Sequence, residues 1–283
     1  MRQGEASRTA ERVAVERAAH RLIDSPLVLD DPVSIQVIDP EAAARLRAHP
    51  ERHDRRSPIT KFTRAMVVVR TRVAEDELAR AAARGVTQYV LLGAGFDTFA
   101  YRNPLPGIRV FEVDHPATQQ VKRARLAAAG IAVPGSVTFI ACDFVGDTLP
   151  QVLAAGGFDA ARPAVIAWLG VVMYLTRHDV LRTLRYIASL PYGTALIFDY
   201  AVPPSALPWL PRLYYRKVLQ KLDAEGEPWL SFFEPAALRA DLEGLGFAGL
   251  DDLGAADIDA RYLSGRTDGL KAGSVGRIAI ARR

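Results

Sequence analysis

Two aspartates stand where a parallel sheet can put them to use. Asp114 closes the apolar run "IRVFEV" (108–113), about 20 residues after the loop Gly93-Ala94-Gly95. A carboxylate there can accept hydrogen bonds from both hydroxyls of an unphosphorylated ribose. Asp143 closes "VTFIAC" (137–142), where a carboxylate can accept from an exocyclic amine such as adenine N6. Phe144 beside it can pack on a purine face. Gly93 and Gly95 follow the apolar run "QYVLL" (88–92), and glycine lets a ligand approach the backbone closely. The loop departs from the dinucleotide fingerprint G-x-G-x-x-G, because Thr98 takes the third glycine's place. No Lys follows Gly95 as a P-loop requires. These residues describe an adenosine site without a required phosphate clamp, which suits S-adenosylmethionine at least as well as NAD.

Each residue also has a plainer reading. The glycines can serve only a tight strand-to-helix turn, Asp114 can cap the helix that follows, and Asp143 can start a turn with Gly146-Asp147.

The elements that must hold these residues are legible from periodicity. From Gln88 onward strands and helices alternate, as in a parallel sheet with right-handed crossovers. Strands are expected at 88–92, 108–113, 137–142, 164–169 ("AVIAWL") and 193–200 ("GTALIFDY"), with helices over about 116–129, 177–190 and 235–245. "GLDDL" and "VGRIAIA" read as a terminal antiparallel hairpin. Residues 201–233, beginning "AVPPSALPWLPRLYYRKVLQKL", are Pro-rich and aromatic, too irregular for a crossover helix, and are expected to be an insertion over the sheet's carboxyl edge. Residues 1–84 read as a helical extension or cap, broken at Asp24-Ser25-Pro26, Asp31-Pro32, Asp39-Pro40 and Ser57-Pro58. Residues 85–283 then form the core. The expected fold is α/β, a doubly wound, mostly parallel Rossmann-like sheet with an antiparallel last strand.

Composition narrows the function classes. The chain has 283 residues, 49% hydrophobic and 24% charged, which is the balance of an ordinary globular protein. Its net charge of +4 comes without an aromatic-interleaved basic stripe, so no nucleic-acid partner is expected. The stretch "MRQGEASRTAERVAVERAAH" lacks the apolar core of a secretory signal, and no apolar run approaches a bilayer span. A single cysteine, Cys142, suits a reducing compartment. The expectation is a cytoplasmic protein with no membrane partner and no metal.

The run "LLGAGFDTFAYR…VFEVDHPATQQVKRARL…FIACDF…WLGVVMYLT" resembles the leucine carboxyl methyltransferase family, and in particular its bacterial small-molecule and polyketide O-methyltransferase branch. The "TA…R" entry at Thr9, "VVVRTR" (67–72), "GEPW" and "FFEP" extend the resemblance over nearly the whole chain. It implies a class I S-adenosylmethionine-dependent methyltransferase. By position it implies that Arg70 clamps the methionine carboxylate, Gly93 and Gly95 line the methionyl and ribose parts, Asp114 holds the ribose, and Asp143 with Phe144 holds the adenine. Arginine suits the first role because its planar fork meets a carboxylate bidentately. Two positions depart from the family pattern. Leu169 replaces a common Glu, and Phe99 stands where Arg is often found. Both tell against a peptide or protein C-terminus as substrate and leave the methyl-donor site largely intact.

The expected reaction is O-methylation of a small molecule, with a carboxylate as the favoured acceptor. An ionised carboxylate needs a positioning cation, for which Arg261 in the polar tail "ARYLSGRTDG" is a candidate; a hydroxyl needs a base. Of the histidines only His115 adjoins an expected cofactor residue. Tyr174, just past the fourth strand, can line an acceptor pocket or simply pack in the core. Trp209, Trp229 and Phe233 can form an aromatic wall for an apolar substrate or pack on one another. The competing classes are methylation of a peptide or protein C-terminal carboxylate, an NAD-dependent oxidoreductase, and a cofactor-binding protein without catalysis.

Overall fold

The computed structural model describes residues 8–54, 58–144 and 146–283. Residues 1–7 of the stretch read for a secretory signal, and Ser57 of the Ser57-Pro58 break, lie outside the described residues. The described chain opens with helices α1 (Arg8–Ile23), α2 (Ser34–Val37), α3 (Pro40–Ala48), α4 (Pro50–Asp54) and α5 (Pro58–Ala82). Then come β1 (Gln88–Leu92), β2 (Arg109–Asp114), α6 (Pro116–Ala128), β3 (Val137–Ala141), α7 (Leu149–Ala155), β4 (Val165–Trp168), α8 (Arg177–Ala188) and β5 (Ala195–Ala201). The chain closes with α9 (Trp209–Ala224), α10 (Pro235–Gly244), β6 (Gly249–Leu253), α11 (Ala255–Ile258) and β7 (Gly276–Arg282).

The strands form a 7-stranded sheet in the order β3-β2-β1-β4-β5-β7-β6. β1 to β5 are parallel, and β7 runs antiparallel between β5 and β6. The expected terminal hairpin is therefore present, with its second strand rather than its first joining the parallel sheet. β1 and β5 are buried along their whole length, which is why "QYVLL" and most of "ALIFDYA" are continuous apolar runs.

Two helical layers cover the sheet. On one face α7, α8 and α10 bury Leu153, Leu184, Ile187 and Leu242 against Phe111, Ile166 and Phe198. On the other, α5 lays Val68, Val69 and Val73 on Val110, Ala167 and Ile197. The helix before β1 is thus a wall of the core, while α1, α2 and α3 pack with Phe96 and Leu126 over the loop after β1.

The insertion departs from the expectation of irregular structure, since Trp209–Ala224 is a 16-residue helix. Pro208 precedes its first turn and Pro211 sits within it, where proline removes no intrahelical hydrogen bond. The two prolines open this helix rather than break it.

Because β1 lies between β2 and β4, the chain reverses its winding there, and the carboxyl ends of β1, β2 and β4 border the crevice where open parallel sheets take ligands.

Candidate cofactor and acceptor site

At the end of β1 the backbone keeps its partner for one step more: the N–H groups of Gly93 and Ala94 both donate to Val113 O, at 2.8 and 3.1 Å. Gly93 has φ +70°, and a Cβ there would stand 2.3 Å from Val171 Cγ2 in the loop after β4. The two strand ends approach so closely that only glycine fits.

Asp114 anchors this loop. Its Oδ2 accepts the Gly95 N–H at 2.5 Å and its Oδ1 accepts the His115 N–H at 2.6 Å. Burial pushes the Asp114 carboxyl above the usual carboxylate range, against the downward pull of those N–H groups and Lys122. The next carboxylate, Asp97, is held below its ordinary value; burial works to raise it, but Arg17, Lys122 and Arg102 outweigh burial. Arg17 Nη1 lies 3.3 Å from Asp97 Oδ2 and fastens α1 to the loop.

His115 is the N-cap of α6, its Nδ1 accepting the Ala117 N–H at 3.2 Å. That lone pair is committed to the helix. Asp143 does open a turn: its carbonyl accepts from Gly146 and Asp147, and its N–H donates to Asp147 Oδ2 at 2.7 Å. Phe144 packs partly buried against the core cluster that contains Cys142.

Arg70 comes up from α5 to the end of β4. Its Nη1 meets Asp199 Oδ2 at 2.7 Å, and Asp199 Oδ1 accepts the Gly170 N–H at 2.6 Å. Both side chains are buried. Asp199 escaped the sequence reading, although an acid inside an otherwise apolar strand, "ALIFDYA", was a signal for it.

The amino-terminal turn of α1 covers the loop. A Cβ on Gly95 would stand 3.4 Å from Ala10 Cβ. Thr9 bonds to Glu227 through its hydroxyl and, at 3.4 Å, its N–H, while Arg12 Nη1 meets Glu225 Oε2 at 2.6 Å. The loop after α9 is itself tied to the strand ends, because the Leu230 N–H donates to Met173 O at 2.7 Å.

Aromatic rings gather beside it. Trp229 stands edge-on to Tyr174 and Tyr215, with centroids 6.4 and 6.0 Å apart. The buried Tyr215 hydroxyl has no hydrogen-bond partner, and Trp229 Nε1 lies near the Tyr174 hydroxyl without hydrogen-bond geometry. Burial raises the Tyr174 hydroxyl above its ordinary value.

The remaining candidates separate. Phe233 is a core residue edge-on to Tyr200, and Trp209 is exposed, so with Trp229 they make no single wall. Arg261 is exposed on the π-helical turn Asp259–Leu263 after β6, at the opposite sheet edge from β2 and Asp114. A cleft of about 490 Å³ opens by Ile108, Arg109 and Ser136, at the amino ends of β2 and β3, away from the glycine loop's carboxyl-end crevice.

A model of the leucine carboxyl methyltransferase family matches residues 10–188, the stretch from α1 through α8 that carries Arg70, the glycine loop, Asp114 and Asp143, while Asp199 and the loop after α9 lie beyond it. The chain belongs to the leucine carboxyl methyltransferase family. A Bacillus subtilis relative, provisionally named as the S-adenosyl-L-methionine-dependent methyltransferase YktD, is 31% identical over 96% of both chains. A Mycobacteroides abscessus relative with the same kind of provisional name is 37% identical over 59% of this chain and 55% of its own. Among solved structures, a provisionally named methyltransferase from Thermobifida fusca aligns over 100% of this chain and 96% of its own, with TM-score 0.62 and 18% identity. A DUF574 family protein from Streptomyces avermitilis aligns over 99% and 98%, with TM-score 0.61 and 18% identity. These two speak for the fold. Family membership makes the chain an S-adenosylmethionine-dependent methyltransferase.

Proposed function

We propose that this methyltransferase acts on an oxygen of a small molecule, and that the oxygen belongs to a carboxylate. S-adenosylmethionine supplies a methyl group already activated on a sulfonium, so the chain's own task is to align an acceptor and exclude water. In this reading Asp114 accepts the ribose hydroxyls beside the N–H bonds it already takes from Gly95 and His115. Gly93 and Gly95 let the cofactor lie against the loop, Asp143 and Phe144 hold the adenine, and Arg70 meets the methionine carboxylate. The residues fit that ligand: a carboxylate at the ribose position repels a phosphate and welcomes a diol.

One observation carries the acceptor assignment. Trp229 stands edge-on to both Tyr174 and Tyr215, the buried Tyr215 hydroxyl has no hydrogen-bond partner, and the buried Trp229 N–H meets the Tyr174 hydroxyl without good geometry. Buried donors without partners are costly, and an acceptor carrying lone pairs satisfies them. A carboxylate brings those lone pairs and gives up no proton: its oxygen forms the new bond to the methyl carbon as the sulfur leaves with the electron pair. The acids and the histidine nearby are already engaged, Glu225 with Arg12, Glu227 with Thr9, Asp199 with Arg70, and His115 Nδ1 with Ala117.

A small molecule suits the rim better than a polypeptide tail, because α1 and the loop after α9 are bonded across it. The two departures from the family pattern also sit in apolar packing: Phe99 stacks edge-on to Tyr89, and Leu169 packs against the same cluster. The cytoplasm is the compartment we favour. Cys142, the single cysteine, is a buried free thiol with no second cysteine to pair with, which suits a reducing compartment. No described helix is long and apolar enough to cross a membrane.

The test is a label experiment. Protein incubated with methyl-labelled S-adenosylmethionine and a panel of small carboxylic acids and phenols should yield label that mild base releases as volatile methanol, the mark of a methyl ester. Label that survives base would move the acceptor to a hydroxyl or nitrogen and end the carboxylate reading.

A further inference from the structure

Helix α9 turns an unusual face to solvent. Trp209 is 71% exposed, Leu210 61%, Leu213 52% and Tyr214 49%. These residues occupy the first turns on adjoining i, i+4 rows. The row from Trp209 through Leu213 continues into Lys217 and Lys221, with Arg216 beside it. The outward face is therefore apolar in its amino-terminal half and cationic in its carboxyl-terminal half. Asp223 is the one acid in the helix. The opposite face is spoken for, since Tyr215 and Leu219 pack into the core.

An exposed cluster of this kind is uncommon on a monomeric protein and marks an interaction surface. Charge decides between occupants. A second copy meeting this one about a two-fold axis would either set Arg216 and Lys217 against their own images or, with the helices antiparallel, bury those cations on the apolar Trp209 and Leu213 of the other copy. An anionic bilayer complements both halves at once, taking Trp209, Leu210 and Leu213 into the headgroup–acyl boundary and pairing Arg216 and Lys217 with lipid headgroups, while Lys221 stands 3.9 Å from Glu225. We infer that α9 seats this protein flat on an anionic lipid surface. The expectation of no membrane partner rested on the lack of a spanning segment, and it does not bear on a helix lying in the interface plane. The inference rests on α9 alone and is independent of the acceptor proposed above. Its consequence for the site is positional: the loop that follows α9, with Glu225 and Glu227, bonds to the turn of α1 that stands over the glycine loop, so the rim of the site sits beside the docked surface.

Co-sedimentation of the whole chain with phosphatidylcholine vesicles, with and without phosphatidylserine, tests this. Partition onto the anionic vesicles alone, with a blue shift of Trp209 emission that Trp209→Phe removes, is the expected result. The double variant Arg216→Gln/Lys217→Gln should lower the partition coefficient roughly 30-fold, and raised salt should lower it too. Leu213→Glu should abolish it. Equal partition onto both vesicle types, absence of binding, or binding indifferent to these variants would overturn the inference. A lipid-free dimer that Leu213→Glu dissolves would overturn it as well, in favour of a second copy.

Discussion

Arg70 of α5 and Asp199 of β5 meet at 2.7 Å beneath the end of β4, and the same carboxylate takes the Gly170 N–H at 2.6 Å. Three elements distant in sequence converge on one buried acid. Removing one partner of a buried ion pair leaves the other charge uncompensated, at a cost of about 3–5 kcal/mol. Asp199→Ala should lose stability on that scale in urea unfolding; a loss below about 1 kcal/mol would show that Arg70 finds water or another partner.

Gly170 depends on the same pair. Its φ is +73°, and a Cβ there would stand 2.7 Å from Arg70 Nη2. A free arginine would swing away, but Asp199 pins this one. Gly170→Ala should therefore cost stability and also weaken S-adenosylmethionine binding about tenfold by moving the guanidinium. Unchanged cofactor affinity in a folded Gly170→Ala variant would remove Arg70 from the proposed methionine role.

Asp114 carries the ribose half of the proposal. A hydrogen bond to a charged group contributes about 1.5–3 kcal/mol, so Asp114→Ala should weaken S-adenosylhomocysteine binding by roughly 10- to 100-fold in calorimetric titration. Burial raises the carboxyl, so protonation begins at a higher pH than for an exposed aspartate near 4. In the unaltered protein, affinity should fall as pH drops through that raised value. A flat affinity profile across the acid range would separate Asp114 from the ligand.

How much of this was legible beforehand depended on whether a residue's partner lay near it in sequence. β1, β2 and β3 announced themselves as apolar runs, and the glycines and Asp114 follow directly from where those runs end. Asp199 was hidden because its partner Arg70 is 129 residues away, and only the fold pairs them. α9 was misjudged because prolines at 208 and 211 read as breakers, whereas at a helix start they are tolerated. α5 read as part of a cap because a 25-residue helix before the first strand gives no local sign that it will line the sheet.

Glu77 gives the fold a specific acid sensitivity. It is buried on α5 and held by Arg282 of β7 and, at 2.9 Å, by Arg80. Burial works to raise its carboxyl, but the two guanidiniums outweigh it and hold the group below its ordinary value. Because the folded value lies below the unfolded one, the contribution is fully present above about pH 4 and fades as pH falls through the lower folded value. Glu77→Gln should lose about 2 kcal/mol at neutral pH, and its unfolding midpoint should converge with that of the parent chain at acid pH. A constant gap between the two at every pH would mean that the loss is one of packing.

If the glycine loop holds the cofactor as proposed, the clasp over it should govern exchange rather than affinity. Thr9 at the start of α1 bonds to Glu227 in the loop after α9, and Ala10 stands over Gly95, so a ligand held on the glycine loop is expected to leave as this turn lifts. Opening a closed rim often limits turnover. Glu227→Ala removes a bond contributing about 1 kcal/mol, which corresponds to roughly fivefold. Release of S-adenosylhomocysteine in stopped-flow displacement should quicken by about that factor. Association should quicken with it, because the same turn must lift for entry, leaving the equilibrium constant nearly unchanged. If Glu227 instead touched the ligand, affinity would fall while the association rate stayed put. The two rates measured on one variant therefore separate a latch from a binding residue.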